Sequence, residues 1–385
     1  MPLETFEGVS MSGKVLITGG AGFIGSHLAD LFLDKGYTVK VYDNLEPQVH
    51  GIDAKRPSYL NGEIELIKGD VRDGDSFAKA LKGSDILVHF AAAVGVGQSM
   101  YEITRYTSIN TMGAAVVLEE AVKQKDSIGK MLVASSMSIY GEGLYRCSRC
   151  GLVSPRLRPA DQLMARNWEM LCPGCNEPCE PVPTPETKPL YPTSVYAVNK
   201  RDHEELFLSV GEAYDIPCTA MRFFNVYGER QALSNPYTGV GAIFASRLLN
   251  GKPPVVFEDG GQSRDFIHVK DIARGCLLAI ESEKSNGQVY NLGTGRKLSI
   301  KEVGESIARE LGQPVDDFII RNEYRAGDIR HCYADTSKAA NDLGFVSEKV
   351  FEDGVNELCR WVASQSAVDM VDKATEELKN RGLAR

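Results

Sequence analysis

Seven residues, GGAGFIG at positions 19–25, constrain this chain more than any others. They follow the apolar run KVLITGG, which begins at Lys14, and they open AGFIGSHLADLFLDKG, whose apolar residues recur at helical spacing. YTVKVYDN then reads as a second strand. Strand, tight turn, helix and strand in that order make a dinucleotide-binding unit. Gly19 permits the turn, Gly22 lets backbone approach a pyrophosphate, and Gly25 lets the helix lie close on the sheet. A phosphate would then meet the free N–H groups of the helix start. Asp43 ends the second strand, 18 residues after Gly25. A carboxylate there accepts hydrogen bonds from a ribose diol and repels a 2′-phosphate, so NAD is expected rather than NADP.

The alternation continues through IELIKGD, a helix ending near Leu81, DILVHFAAA, a helix from about Asn110 to Val122, and KMLVASS. Apolar, β-branched strands separated by helices belong to a parallel sheet covered on both faces, a doubly wound α/β fold of Rossmann type. Asp70 and Val71 follow the third strand and would line an adenine. Phe90, Ala91, Ala92 and Ala93 end the next strand, mostly with small side chains that leave room for a cofactor. At 385 residues the chain has length for two to three packing units. Lys plus Arg (43) against Asp plus Glu (52) gives a net charge of −9, which disfavours a nucleic-acid partner. No apolar run approaches the ~18 residues of a membrane span, so membrane association is not expected, and nine cysteines, five of them clustered, suit reduced thiols in the cytoplasm better than a secreted disulfide framework.

Tyr196 and Lys200 stand four apart at the start of a helix, hence on one face one turn apart. A nearby ammonium stabilises a phenolate, which turns a tyrosine into a usable base. Ser136, at the end of the fifth strand, can approach the same reacting hydroxyl and complete a proton-transfer set. Alone, a Tyr-x-x-x-Lys pair is common; behind a dinucleotide turn it becomes a catalytic signal.

Six ordered motifs now stand together: GGAGFIG, SSMSIYG, YAVNK, RFFNVYG, RDFIHV and RAGDIR. Through them the chain, from about Lys14 to Phe345, resembles the extended short-chain dehydrogenase/reductase family, specifically nucleotide-sugar epimerases of the UDP-galactose 4-epimerase type. The resemblance implies a serine, here Ser136, assisting the tyrosine. It implies NAD contacts that include Phe23, Ile24, Asn44, Asn110 and Phe223, with Lys200 also holding the nicotinamide ribose. Sugar-diphosphate contacts fall on Asn225, Arg264 and Arg325. Relatives that dehydrate hexoses carry an Asp-Glu pair where this chain has Met137 and Ser138, which disfavours elimination of water. The expected reaction is NAD-dependent epimerisation at C4 of a nucleotide-diphosphate sugar through a transient 4-keto sugar. Within the family, AAAVGVGQSMYEI, QALSNPYTGV and a long cysteine-rich excursion are most similar to bacterial dTDP-L-rhamnose 4-epimerases. A UDP-hexose 4-epimerase is the close alternative; a ketoreductase that releases its product would use the same residues. A homodimer, built on helices around 100 to 122 and 196 to 214, is the family expectation.

Between Tyr140 and Tyr196 the pattern breaks: five cysteines fall between Cys147 and Cys179, and seven prolines between Pro173 and Pro192. Proline at that density rules out a continuing helix or central strand, so an irregular excursion is expected. Cys147 and Cys150, then Cys172 and Cys175, make two C-x-x-C knuckles, which present four thiolates to one structural zinc; Cys179 is an alternative fourth ligand. The expected organisation is an NAD-binding domain over 11–225, interrupted by the 145–180 insertion, and a smaller mixed α/β substrate-binding domain over 226–360. Exchange of a strand between the two is allowed for. An exposed helical tail over 361–385 is expected to carry little of the function.

Overall fold

The computed structural model describes residues 13–52, 54–232, 239–365 and 371–384. Residues 11 and 12, at the start of the expected NAD-binding domain, and residues 233–238 of the QALSNPYTGV run lie outside the described residues. Seven parallel strands form the main sheet: β1 (Lys14–Thr18), β2 (Thr38–Asp43), β3 (Glu65–Lys68), β4 (Ile86–His89), β5 (Lys130–Ser136), β6 (Cys218–Phe223) and β7 (Gln288–Leu292). Their order is β3-β2-β1-β4-β5-β6-β7. Side chains alternate between two cores because strand side chains point to opposite faces in turn. Val15 and Ile17 of β1 join helices Phe23–Asp34 and Val269–Glu281 through Leu28, Phe32, Ile272 and Cys276. Leu16 joins Phe77, Val117, Leu118 and Phe207 of the opposite helices. Strand order reverses between β1 and β4, so a crevice opens beyond their carboxyl ends, where such sheets bind ligands.

Chain beyond residue 226 completes this sheet through β7 and covers it with Val269–Glu281. A third core gathers helices Val240–Leu249, Ile300–Glu310 and Phe351–Ser364 around Phe244, Ile307 and Leu358. The helix expected from about Asn110 is Gly113–Lys123, preceded by a π-helical turn over Ser108–Met112.

Two sequence expectations need correction. The excursion is not irregular throughout: strands Gly151–Val153, Leu144–Cys147 and Glu180–Val182 form a three-stranded antiparallel sheet. Pro181 is tolerated because it sits on an edge strand, where one side needs no ladder donor. The tail is also not merely exposed. Leu378 and Ala384 are buried, Ala326 N–H donates to Leu383 O at 2.9 Å, and the Arg381 guanidinium lies 4.1 Å from the Tyr101 ring centroid.

Candidate active site

The crevice holds a cavity of about 440 Å³ that brings the glycine turn and the Tyr196–Lys200 pair onto one surface. Gly19 has φ +68°, and a Cβ there would stand 2.7 Å from Ala91 N. Only glycine serves both demands. At Gly25 a Cβ would sit 2.4 Å from Gly19 O, so the helix approaches the turn as closely as backbone permits. Gly22 differs: its Cβ would meet only Gly19 O, at 3.3 Å, and the residue faces the cavity. It caps helix Phe23–Asp34 without any side-chain bond, and the first turn carries no acid. Uncapped N–H groups with the positive end of the helix suit a pyrophosphate.

Asp43 ends β2 on the cavity wall. Its carboxylate accepts from Ala21 N–H at 3.0 Å and Leu45 N–H at 2.9 Å, and His50 Nε2 stands 3.9 Å away. Burial raises its pKa while those donors pull it down. Two oxygens offer about four acceptor sites, so capacity remains for a ribose diol. Asp43→Ala is expected to weaken NAD about tenfold and to reduce discrimination against NADP, as in loss of one charged hydrogen-bonding partner. Titration of nucleotide-stripped protein with both cofactors checks this, and equal affinities in the parent protein would contradict it.

Gly19, Gly22, Phe23, Ile24, Gly25, Asn44, Asp70, Val71, Phe90, Ala91, Ala92, Ala93, Phe223 and Asn225 also line the cavity. Asp70 is the most committed of them: Arg72 engages both its carboxylate oxygens, at 2.6 and 2.8 Å, and holds its pKa below the usual range. Asn225 has a buried Oδ1 with no hydrogen-bond partner. That orphan acceptor is what a ligand-binding asparagine shows before its ligand arrives.

Three residues named by the resemblance do not line this cavity. Asn110 is fully buried behind the wall, where it clasps Ala93: its Oδ1 accepts from Ala93 N–H at 2.8 Å and its Nδ2 donates to Ala93 O at 3.1 Å. It shapes the cofactor wall without forming it. Arg264 spends its guanidinium on the carbonyls of Ser263, Ile329 and Arg330. Arg325 stacks on Phe257 and pairs with Asp328 at 2.8 Å. Neither arginine lines this cavity; local carbonyl and carboxylate groups are their partners.

Ser194 caps helix Val195–Tyr214 by accepting from Ala197 N–H, and Tyr196 N–H donates to Ser99 Oγ, so the helix start is fixed at both shoulders. Burial pushes the Tyr196 phenol up to about 12, and the neighbouring Ser136 side chain pulls it back in part. Lys200 Nζ donates to Ala134 O at 2.9 Å, and burial brings its pKa down to about 7. Without ligand the pair therefore rests as phenol beside a half-charged amine. From pH 7 to about 10.5 the unfolded chain holds a proton on Lys200 that the folded chain has lost. Stability of ligand-free protein should therefore rise with pH across that window, by up to about 1.4 kcal/mol per unit from this group. Lys200→Met should flatten the rise; parallel pH profiles from denaturant melts would contradict it.

Behind Lys200 lie two histidines that no motif announced. His203 Nδ1 is 3.5 Å from Lys200 Nζ, and His89 stands 5.1 Å from the His203 ring. Burial keeps both imidazoles neutral, His89 at about 3. The i,i+3 spacing of Lys200 and His203 was their only available signal. His50, which no motif marked, and Gln231 and Ala232, which open the QALSNPYTGV run, also reach the cavity.

The family of NAD dependent epimerases and dehydratases matches residues 15–158 and 172–293, breaking only within the cysteine insertion. The chain belongs to that family. It is 33% identical to a dTDP-L-rhamnose 4-epimerase of Burkholderia thailandensis over 91% of this chain and 95% of that protein. The UDP-glucose 4-epimerase of Thermotoga maritima, solved with UDP-glucose, superposes with a TM-score of 0.74 at 27% identity, covering 91% and 99% of the two chains. That of Thermus thermophilus, solved with NAD, gives 0.70 at 26% identity over 92% and 100%. The doubly wound fold expected from the sequence is that of this epimerase family, and the chain is an enzyme of it. Among the described residues no helix is long and apolar enough to cross a membrane.

Proposed function

We propose that the protein is a nucleotide-sugar 4-epimerase that retains NAD, with dTDP-L-rhamnose as its substrate. The observation that carries the chemistry is the convergence of Ser136, Tyr196 and Lys200 on the cavity that also contains the glycine turn and Asp43. Bound NAD would supply a hydride acceptor at C4 and, in oxidised form, a positive charge. Gly22 and the helix start would hold its pyrophosphate, and Asp43 its adenosine ribose. Tyr196 takes the C4 hydroxyl proton and later returns one; Ser136 steadies the oxygen between the two. Lys200, anchored on Ala134 O, raises the acidity of the phenol when protonated. Met137 is buried and apolar, and Ser138 bonds to Ser136 Oγ at 3.0 Å, so no carboxylate is present there to drive elimination. Asn225, with its free acceptor, is the one of the three proposed substrate residues that lines this cavity.

The choice of dTDP-L-rhamnose rests on the likeness to the Burkholderia enzyme across nearly the whole chain. Steady-state assays on paired dTDP- and UDP-sugars, with products separated as C4 epimers, test it. The dTDP-L-rhamnose pair should show the highest kcat/KM, and preference for UDP-glucose would overturn the assignment. The proposal includes a homodimer, supported by apolar Ile103, Met112 and Val198 standing exposed on the helices expected to form its bundle. It also includes one structural zinc on Cys147, Cys150, Cys172 and Cys175.

A further inference from the structure

The four thiolates of the insertion lie within 4.8 Å of one another, with Cys147 Sγ and Cys175 Sγ at 3.4 Å. Tetrahedral zinc with Zn–S bonds of about 2.3 Å spaces its sulfurs about 3.8 Å apart, so one ion fits with small adjustments. The backbone is already turned toward the sulfurs: the N–H groups of Cys150 and Arg149 approach Cys147, and those of Gly174 and Cys175 approach Cys172. Cys179 packs beside them but outside the group of four. Apart from its cysteines, the module's own core is little more than Tyr145, Met170 and Val153. So small an apolar cluster does not order a module of this length alone.

The module does not hang free. Glu169, three residues before Cys172, takes Arg330 Nη2 at 2.6 Å on one oxygen and faces His331 Nε2 at 3.1 Å with the other. Trp168 O accepts from Arg158, which forms a bidentate, fully buried pair with Glu258. Arg330 bonds to the same Glu258 and to Asp259. His331 Nδ1 lies 2.7 Å from Ser263 Oγ, and the strand Ser263–Arg264 pairs with His331–Cys332. One continuous set of hydrogen bonds, charged at Glu169, Arg330, Arg158 and Glu258 and completed through His331 and Ser263, therefore runs from the knuckles into a strand pair of the other half of the chain. That pair carries Arg264, whose guanidinium is held by the Ile329 and Arg330 carbonyls.

We infer that one zinc ion on Cys147, Cys150, Cys172 and Cys175 is the keystone of this network, with Glu169 as the positioning residue that passes its order to Arg330, His331 and Arg264. The inference rests on the zinc assignment proposed above. Charge-assisted bonds hold only while both partners are fixed: without Glu169 in place, Arg330 keeps Glu258 and Asp259 but loses its tie to the module, and His331 Nε2 loses its partner. Removing the ion frees residues 145–180, releases Glu169, and loosens residues 258–264 and 329–332 across the interface. The strands of the main sheet stay paired, with Ile329 and Cys332 the members of its core that feel the change.

The test uses the whole reduced chain and needs no substrate, so its outcome stands apart from whether the reaction is 4-epimerisation. Elemental analysis of protein purified without chelator should give one zinc per chain. Less than about 0.2 zinc, or iron in its place, overturns the ion assignment and the keystone with it. Hydrogen exchange is then compared for native protein, chelator-stripped protein, Cys150→Ser and Glu169→Gln. Stripping, or Cys150→Ser, should speed exchange at least tenfold at 144–147 and also at 263–264 and 331–332, with β1 to β5 unchanged. Glu169→Gln should keep the zinc and the slow exchange at 144–147 yet quicken 331–332. Zinc present, with unchanged exchange at 263–264 and 331–332 after stripping, overturns the keystone role alone.

Discussion

Tyr196→Phe is expected to lower turnover by about 10² to 10⁴, the usual scale of positioned acid–base assistance, while bound NAD and the fold survive. The phenylalanine ring keeps the shape of the side chain and loses only the hydroxyl. That hydroxyl is the group Ser136 can bond and the group burial holds near a pKa of 12, above its ordinary value. A phenol so placed gives up its proton only when charge is brought to it, and Lys200 one turn away is the chain's own source. The loss should therefore appear in kcat with little change in NAD affinity, and Ser136→Ala should show the same split at smaller size. Near-native turnover in a folded Tyr196→Phe protein would remove the tyrosine from the mechanism.

Gly25→Ala carries the second large effect, on cofactor binding. The added Cβ would lie 2.4 Å from Gly19 O and 2.6 Å from Gly20 Cα, both backbone atoms that cannot swing aside. Overpacking of this kind costs about 1–3 kcal/mol. Relief requires moving the helix start away from the turn, which separates the N–H groups that would share the pyrophosphate. NAD affinity should fall about 10- to 100-fold, since each 1.4 kcal/mol is tenfold. Gly22→Ala provides the contrast, because its Cβ meets only one atom, at 3.3 Å: the fold should be undisturbed and the new methyl should act on the ligand directly. Calorimetric titration of stripped proteins, alongside denaturant melts, separates the two. A Gly25→Ala protein with unchanged NAD affinity would mean the turn does not hold the pyrophosphate.

What could be read from the chain beforehand follows how local each signal is. β1, the glycine turn and helix Phe23–Asp34 were legible because turn chemistry and apolar periodicity act within a few residues. Tyr196 and Lys200 were legible for the same reason, a single helical turn. β7 carries no mark in its residues that it pairs with β6, some 65 to 70 positions earlier, rather than with strands nearer in sequence. The small sheet of the insertion was hidden by proline density, since composition does not tell an edge strand from a loop. Arg264 and Arg325 were assigned from motif position, which says nothing of the carbonyls of Ile329 and Arg330 or of Asp328 that take their charge. Docking of the tail on Ala326 likewise depends on backbone groups more than 50 residues away.

The most direct measurement incubates the purified protein with dTDP-L-rhamnose in D₂O, adds no nicotinamide, and resolves the products by chromatography and mass spectrometry. Retained NAD would supply a reversible hydride acceptor beside Tyr196, so many turnovers per chain are expected. The product should be the C4 epimer at unchanged mass, with no deuterium on carbon once the exchangeable hydroxyls are returned to protium. A requirement for stoichiometric NADH, release of a ketone, or a product that is not inverted at C4 would contradict 4-epimerisation by this chain.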